Sequence, residues 1–595
     1  MLYDCMKVFD HVLSEKGERW LLDSYIPKDG TYILINMDRD FQPEEYVDII
    51  RDKKTEEISG RTHRDFRFFQ FLDYNSKLVE MNKPVDPKKT IHSNNMFSFF
   101  LKKESLLQKK LTNEIVDKYY ELISNPEIKY SKPKDKSLYR KVEEETGPVD
   151  TETVNKIKDW IKRWMLEPKM LPDIDLTQKN YLKLFFVYED RVRTQELYQR
   201  ENKRYLIPNV YNNNDFNEEQ NGIITGLPGN NMGMNSKKPY LANKSRKMEA
   251  PCLKALHEVL QQSKFFDFLW GQASAGRVNV YVDFENNKIS TYDNRQQIEA
   301  VDSGAYLRIR KDKNEAQIQC MDVIAGYRPD LKESFNYKNI LDLRPEIIVE
   351  IESGYGNKTA LSKMNLLFDE VFFGKKLIYN YFTEPSDITF KDRTLENILL
   401  TYRERLFGWF YKGIDADMQK VVDEMAGKLI CHSIQNGYWT KVKHQINLKW
   451  SLTDYFEQNN KMEETEKMVK ENLKKHMDMY EEEWNFENDE EYYYAVGQMV
   501  SYFLSLSKAA KTPLSMINSF LNAADDKVIK EKIVQLFQKY NYNIDSRKDV
   551  RFKNLFNHIL LYEAKGKVHK DMVAAGLLDN KIVYEKAEKK DGEKK

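Results

Sequence analysis

Apolar residues in the first 380 or so positions follow two kinds of spacing. Short apolar or alternating runs predict strands, because successive strand side chains point to opposite faces. Such runs predict two buried strands, TYILIN (31–36) and YLKLFFVY (181–188), and two hairpins, RVNVYVDFENNKIST (277–291), turning at Asn286-Asn287, and AYLRIRKDKNEAQIQCMDVI (305–324). Helical spacing in residues 2–24 and in 251–270, where Pro251 begins the segment, predicts helices among these strands.

The spacing changes after YFTEPSDITFKDR (381–393), where almost every apolar run has a period of about 3.6 residues. Three stripes illustrate this period: Val496, Met499, Val500, Phe503 and Leu504; Ile529, Ile533, Leu536, Phe537 and Tyr540; and Phe552, Leu555, Phe556, Ile559 and Leu560. Short polar connections between such stripes are typical of an antiparallel helical bundle.

We therefore expect an α+β protein with two domains. Residues 1–384 are predicted to form a mixed α/β N-terminal domain with several strands, hairpins and helices, and residues 385–585 a C-terminal antiparallel helical bundle. A length of 595 residues is enough for more than one hydrophobic core. The low-complexity end, residues 586–595, is expected to be a disordered tail.

Composition narrows the class of protein. The chain is 41% hydrophobic and 32% charged, which is typical of a soluble globular protein, and its 94 basic side chains balance its 94 acidic ones. Any attraction for nucleic acid must therefore be local. The four cysteines form no CxxC pair, so we expect neither a zinc site nor another cofactor. With no signal-peptide pattern and no run approaching about 20 apolar residues, we expect a cytoplasmic protein with no membrane partner.

Two segments depart from this balance of charge. KYSKPKDKSLYRK (129–141) has six basic residues against one acid, and it is predicted to be a turn-rich, solvated linker because charge runs normally lie in water. GLPGNNMGMNSKKPYLANKSRK (226–247) has five basic residues and no acid, among glycines and asparagines. It ends a polar loop region that begins near residue 209.

The second segment has the chemistry of a loop that reads a DNA groove. Glycine permits close backbone approach, asparagine offers both a donor and an acceptor, lysine and arginine neutralise phosphates, and a Pro-Tyr pair supplies an apolar wedge. The candidate duplex-binding residues are Asn230, Asn231, Asn235, Lys237, Lys238, Tyr240, Lys244, Arg246 and Lys247. From the residues alone, a mobile surface loop is an equal alternative. YNNNDFN (211–217) and IHSNNMF (91–97) are competing asparagine-rich segments.

Catalytic motifs are scarce. The nine histidines show no HxH or HExxH spacing, there is no P-loop and no GxSxG elbow, and the His63-Arg64-Asp65 triplet lacks the other kinase motifs. The best enzymatic candidate is a pair of acid-bearing strands, VYVDFE with Asp283 and Glu285 and IIVEIE with Glu350 and Glu352, followed by Lys358. Such acids hold Mg²⁺ in metal-dependent nucleases. Alternating acids are also common on the solvated face of a strand, and that interpretation is favoured.

Two regions resemble a known family. NMGMNSKKPYL followed by a K-x-R-K cluster, and YAVGQMVSYFLSLSKAAKTPLSMINSFLNA with the later DMVAAGLLDNKIVYEK, resemble the large subunit of type I-B CRISPR Cascade complexes (the Csh-type family). The match is closest over residues 490–585, and 226–247 is a second anchor. Some relatives carry a cysteine-rich, zinc-ribbon-like insert, which this chain cannot have because it lacks a cysteine cluster.

The resemblance implies a role without catalysis. A large subunit of this kind binds the 5′ end of the crRNA, inspects the protospacer-adjacent motif (PAM) in target double-stranded DNA, and aids duplex opening and R-loop formation. Its partners are the Cascade backbone, guide-5′-end and small subunits and a recruited helicase-nuclease, while base pairing to the guide reads the target sequence. The resemblance assigns PAM reading to the 226–247 loop.

The helical C-terminal region of such a subunit lies beside the displaced DNA strand. Its weak candidates for that contact are Lys508, Lys511, Lys539, Arg547, Lys548 and Arg551, for which a solvated bundle surface is the favoured alternative. A Mg²⁺-dependent nuclease and a purely structural scaffold without nucleic-acid contact remain the rival functions.

Overall fold

The computed structural model describes residues 1–52, 57–229, 253–312, 316–459, 461–477, 484–507, 514–544, 550–579 and 582–584. The fold is mixed α+β, as predicted, with several small sheets in the N-terminal region and helices in the C-terminal region. The α-helices are α1 (Leu2–Lys16), α2 (Glu18–Ser24), α3 (Phe66–Tyr74), α4 (Lys103–Leu107), α5 (Asn113–Ser124), α6 (Pro126–Lys129), α7 (Pro133–Thr146), α8 (Thr151–Leu166), α9 (Arg191–Asn209), α10 (Leu256–Ser274), α11 (Pro345–Ile348), α12 (Leu361–Val371), α13 (Arg393–Lys412), α14 (Met418–Gln435), α15 (Trp439–Glu457), α16 (Lys461–Met477), α17 (Asp489–Ser505), α18 (Leu514–Leu521), α19 (Asp526–Tyr540), α20 (Val550–Leu561) and α21 (Lys570–Leu578).

The strands are β1 (Gly30–Asn36), β2 (Gln42–Ile49), β3 (Ser98–Lys102), β4 (Tyr181–Val187), β5 (Glu218–Gln220), β6 (Ile223–Gly226), β7 (Lys254–Ala255), β8 (Asn279–Asp283), β9 (Lys288–Tyr292), β10 (Gly304–Lys311), β11 (Ala316–Ile324), β12 (Asp330–Tyr337) and β13 (Gly356–Ala360). Among the helices described, none is both long and apolar enough to cross a membrane.

The chain forms two compact units. Unit 1 comprises the described residues of Met1–Asp293 and Asp302–Val323, and unit 2 those of Asn294–Val301 and Ile324–Lys595. Residue 384, where we predicted the domain boundary, falls inside the continuous part of unit 2, and the predicted limits stay a prediction.

The main sheet of unit 1 has the strand order β2-β1-β4-β3. The predicted buried strands are its centre: β1 and β4 are parallel, with Tyr32 opposite Lys183, and β3 is antiparallel to β4, with Phe100 opposite Lys183. Side chains at paired positions share one face of the sheet, so these three lie side by side. A large apolar core, which includes residues of α3, α5 and α8, packs against the sheet.

Both predicted hairpins are confirmed in the second sheet of unit 1, whose order is β11-β10-β8-β9. The β8–β9 turn contains Asn287 at a φ of 47°, a left-handed conformation that asparagine tolerates better than most residues. Residues 2–24 form two helices instead of one, because Gly17 adopts a φ of 71° between α1 and α2.

The predicted apolar stripes of unit 2 are confirmed on α17, α19 and α20. Val496, Met499, Val500 and Phe503 are buried, and so are Ile529 and Ile533 with Leu555 and Ile559 in one continuous core. On α19 and α20 the period of about 3.6 residues matches one buried face, whereas α17 is buried on all sides from Glu491 to Phe503.

Three local predictions are wrong. Residues 129–141 are not a solvated linker: Pro133 begins α7, whose stripe of Leu138, Tyr139 and Val142 is buried while its cations face solvent. IIVEIE (347–352) is not a strand, because Pro345 begins the short helix α11, which includes its first two residues. The polar region after residue 209 is not wholly loop, since β5 and β6 pair within it.

Candidate nucleic-acid interface

The predicted groove-reading loop begins and ends on one small sheet. Its nine candidate residues, from Asn230 to Lys247, lie outside the described part of the chain. The flanking strands are described: β6 pairs with β7, so that Thr225 lies opposite Ala255 and Gly226 opposite Lys254. Both ends of the intervening segment are therefore fixed next to each other on unit 1.

In both competing asparagine-rich segments, asparagine side chains form hydrogen bonds with the protein backbone. In IHSNNMF, Asn95 is fully buried and its amide donates to the carbonyl oxygens of Asn75 (3.1 Å) and Tyr198 (2.9 Å). In YNNNDFN, the Asn213 side chain accepts from the Asp215 backbone N–H at 3.0 Å, and the Asn214 amide donates to the Pro208 carbonyl at 2.8 Å. Side chains used in this way are not available to read base edges.

The predicted displaced-strand contacts are only partly placed. Lys508, Lys511, Arg547 and Lys548 lie outside the described residues. Lys539 is exposed on α19, with its ammonium 5.3 Å from the ring centre of Tyr540. Arg551 on α20 is half-buried and donates to the Ile582 carbonyl at 3.2 Å. Lys539 is thus the member of this pair whose charge faces solvent.

Two of the four acids proposed for Mg²⁺, Asp283 and Glu352, contact other groups of the protein, while Glu285 and Glu350 are exposed. Asp283 ends β8, and its carboxylate accepts the backbone N–H groups of Glu285 at 3.1 Å and Asn286 at 3.0 Å. Burial raises the pKa of Asp283, but hydrogen bonds from the Asn286 side-chain amide and from backbone N–H groups outweigh burial and leave the pKa below its ordinary value. Glu352 follows α11 and pairs with Lys375 at 2.8 Å. Within the described ranges, no three His, Cys, Asp or Glu side chains converge at metal-binding distance.

An arginine-lined cleft in unit 1 was not predicted. Its volume is about 470 Å³, and its walls come from the end of α2, the connection between β2 and α3, the first turns of α3, and the residues after α10. We call it the arginine cleft because five arginines line it. They are Arg51, Arg61, Arg64, Arg67 and Arg277. Among the described residues of this lining Asp23 is the one acid, so this part of the wall is strongly cationic.

Local backbone structure brings two of these arginines to one place. After β2 the chain folds back, because Ile50 and Ser59 exchange hydrogen bonds: the Ile50 N–H donates to Ser59 Oγ and the Ser59 N–H donates to the Ile50 carbonyl, both at 2.9 Å. Gly60 has a φ of 72°, and a Cβ there would lie 2.6 Å from Val47 Cγ2, so only glycine fits this turn. Arg51 and Arg61 flank the fold-back.

Helix α3 forms the next part of the wall. It begins at Phe66, two residues after Arg64, and carries Arg67. The Gln70 amide donates to the Tyr25 carbonyl at 2.7 Å, which fixes α3 against the segment that follows α2. Arg67 is therefore held on a helix, and the other four arginines lie in the connections next to α3 and α10.

The arginines differ in how far their charge is already neutralised. The Arg51 guanidinium donates to the Ser274 carbonyl, and Arg64 pairs with Glu45. Arg67 is 64% exposed and reaches Asp23 only at 4.0 Å. Arg61 and Arg277 are exposed, and within the described residues neither guanidinium has an acidic partner. At least three cations are thus available to an incoming anion.

This arrangement suits phosphate. A guanidinium presents paired N–H donors that match two phosphate oxygens, and it stays charged at any physiological pH. Several cations on a concave wall reinforce one another, because the low-dielectric protein focuses their field into the cleft. The geometry therefore fits the backbone of a nucleic acid or another closely spaced polyanion.

The sequence contains a pattern that points to part of the arginine cleft. RTHRDFR (61–67) places arginines three residues apart immediately before an aromatic helix, yet only its His-Arg-Asp triplet was considered. Arg51 and Arg277 could not be added from sequence, because they lie far from this run along the chain.

Comparisons of the chain with protein-family models, with curated proteins and with solved structures find no match.

Proposed function

We propose that this chain is the non-catalytic large subunit of a type I-B CRISPR surveillance (Cascade) complex in the cytoplasm. In this role it binds the crRNA 5′ handle and target double-stranded DNA, recognises the PAM, aids duplex opening and helps to recruit the helicase-nuclease. The observation that carries the proposal is the arginine cleft, a local cationic concavity on a protein whose total charge is zero.

A local basic site is what such a subunit requires. A chain that packs among several protein partners and touches nucleic acid on one face benefits from a balanced surface with one cationic patch. The cleft supplies phosphate contacts, which fix position without reading sequence. The resemblance of the 226–247 segment assigns base reading to the asparagines, so the two tasks fall to different residues of unit 1.

The cleft is tested in the assembled complex with guide RNA and partner subunits. The variant Arg61→Gln/Arg277→Gln removes two charges that have no acidic partner among the described residues. Binding of a PAM-containing duplex is measured between about 50 and about 300 mM salt, a range over which the Debye length falls by a factor of about 2.4. We expect weaker binding and a salt dependence flatter by about 0.9 per lost phosphate contact, hence about two units in all.

A matched pair controls for net charge. Arg140→Gln/Arg163→Gln removes two exposed arginines of unit 1 that lie outside the cleft, on α7 and α8. This control should bind like the wild type. If both pairs behave alike, the cleft does not hold the nucleic-acid backbone.

Base reading is tested separately. Changing Asn230, Asn231 and Asn235 to alanine should abolish discrimination between PAM sequences, whereas Lys237→Ala/Lys238→Ala should weaken all duplexes alike. Full assembly with unchanged DNA affinity in every one of these variants would favour a structural scaffold instead.

A further inference from the structure

A second cavity of unit 1 shares a wall with the arginine cleft. It has a volume of about 500 Å³ and lies beside β3 and β4 and helices α3, α9 and α10. Tyr25 and Ile26, the residues that follow α2, line both this cavity and the cleft. The cavity and the cleft are therefore neighbours that share part of one wall.

Aromatic rings form much of the wall of this second cavity, which we call the ring-lined cavity. They belong to Tyr25, Tyr74, Phe100, Tyr181 and Trp270. Two cations lie among these rings: the Lys77 ammonium is 4.3 Å from the ring centre of Tyr74, and the Lys183 ammonium is 4.8 Å from that of Phe100. Aromatic rings beside cations are the combination with which proteins hold unpaired bases.

Hydrogen bonds hold these rings in place before any ligand arrives. The Tyr25 hydroxyl donates to Asp73 at 2.8 Å, and the Tyr74 hydroxyl donates to Asp267 at 3.0 Å. The Tyr181 hydroxyl lies 3.1 Å from His92 Nδ1. Because the rings are already ordered, binding a flat ligand costs little side-chain entropy.

The floor of the cavity offers a polar group to the edge of such a ligand. Lys183 is 4% exposed, and its ammonium donates to Asp73 at 2.5 Å and to the Tyr32 hydroxyl at 2.8 Å. An ammonium has three N–H donors, and described residues accept two of them. The same ammonium lies 4.7 Å from the ring centre of Tyr32 and 4.8 Å from that of Phe100, so the edge of a base that enters the cavity meets a positive charge among the rings.

The lining also has a cation for phosphate. Lys28 lines the cavity, is exposed, and its ammonium has no acidic partner within the described ranges. The other lining lysines are matched: Lys77 pairs with Asp267 at 2.8 Å and Lys264 with Glu18 at 2.9 Å. Rings, a buried donor and one unmatched cation fit a nucleotide better than they fit an uncharged ligand.

We infer that the ring-lined cavity takes one unpaired nucleotide of a strand whose neighbouring phosphates lie in the arginine cleft. The inference rests on the proposed function, because it assumes that nucleic acid occupies the cleft. The base inserts among the rings with its edge towards Lys183, and Lys28 faces the phosphate. RNA and DNA share this chemistry, so both are tested.

The test uses the purified full-length chain and eight-nucleotide single strands of RNA and of DNA, each with one 2-aminopurine. We expect binding with strong quenching of the 2-aminopurine, because stacking on a ring quenches it. Ser263→Trp, on α10, fills the cavity from one wall, and Met81→Trp fills it from another. Each should weaken binding about tenfold, the effect of losing one stacked base.

His257→Trp is the matched control, since His257 is exposed on the same helix as Ser263 and does not line the cavity. It should bind and quench like the wild type. If both filling variants bind like this control while Arg61→Gln/Arg277→Gln is weakened, the cavity does not take a nucleotide and the cleft proposal stands. If the chain binds neither strand, the inference is overturned. The strand type that binds more tightly identifies the source of the nucleotide.

Discussion

Gly497 on α17 and Gly576 on α21 are in direct contact where these two helices pack together. A Cβ added to Gly497 would lie 2.9 Å from Gly576 Cα and would collide with the Val573 carbonyl, and one added to Gly576 would collide with the Tyr494 carbonyl. The neighbouring Gln498 closes the contact: its amide donates to the Gly576 carbonyl at 2.6 Å and its oxygen accepts the Ile582 N–H at 2.9 Å. Gly497 lies in YAVGQMVSYFL and Gly576 in DMVAAGLL, so two of the segments that carry the family resemblance pack against each other.

We expect Gly497→Ala to destabilise unit 2 by about 1–3 kcal/mol, because its methyl group would have to displace backbone atoms of α21. Gly427→Ala on α14 is the control. Nothing lies within 4 Å of the position its Cβ would take, so alanine should stabilise that helix by about 0.5–1 kcal/mol. Urea unfolding followed by circular dichroism measures both changes. Equal effects of the two substitutions would contradict the close contact.

Sequence reasoning succeeded where one periodicity reported one buried face. The stripes of α19 and α20 are of this kind, whereas α17 and β8 are buried on more than one face, so their patterns predicted the element but not its burial. It failed at α7, because the visible cations conceal a narrow apolar stripe. It also failed to assemble the arginine cleft, since Arg51 and Arg277 come together only through tertiary packing, which no local pattern records.

The ion pair of Lys183 and Asp73 is buried, at 4% and 1% exposure, beneath the ring-lined cavity. Burial lowers the pKa of Lys183, and the charge of Asp73 opposes that effect. Removing one partner leaves the other charge buried and unpaired, so Lys183→Met should destabilise unit 1 by about 3–5 kcal/mol.

The double variant Lys183→Met/Asp73→Leu removes both buried charges together. We expect it to be more stable than Lys183→Met alone, because an apolar pair avoids the desolvation cost. Urea unfolding of the wild type, both single variants and the double variant completes the cycle. Additive losses would mean that the two side chains do not interact.

The packing of α7 can be tested directly. Much of this helix lies in residues 129–141, which their charge predicted to be a linker. Leu138 is fully buried, so Leu138→Ala should cost about 2–5 kcal/mol through lost transfer energy and the cavity left behind. Arg140→Ala on the same helix removes a 63%-exposed side chain whose acidic neighbour is 4.0 Å away, and it should change stability by less than about 1 kcal/mol. A linker would show no difference between the two variants in thermal unfolding.

Asp571 on α21 connects this helix to α15 through side-chain hydrogen bonds. We expect these contacts to weaken at low pH. Its carboxylate accepts from Lys449 at 2.8 Å and from the Trp450 indole N–H at 3.0 Å. Burial raises the pKa of Asp571, but Lys449 outweighs burial and lowers the pKa from 3.8 to about 2. A carboxyl whose pKa is lowered on folding stabilises the protein above its unfolded-state pKa, here by about 2 kcal/mol.

That stabilisation is lost as the pH falls from about 4 through about 2, the two pKa values of Asp571. We therefore expect Asp571→Asn to be less stable than the wild type at pH 6, with the difference shrinking towards pH 2. Asp423→Asn is the control, because Asp423 also contacts Lys449, at 3.0 Å, but is 63% exposed. Urea unfolding across this pH range should show little pH-dependent difference for the control. A gap between Asp571→Asn and the wild type that stays constant with pH would show that Lys449 does not lower the pKa of Asp571.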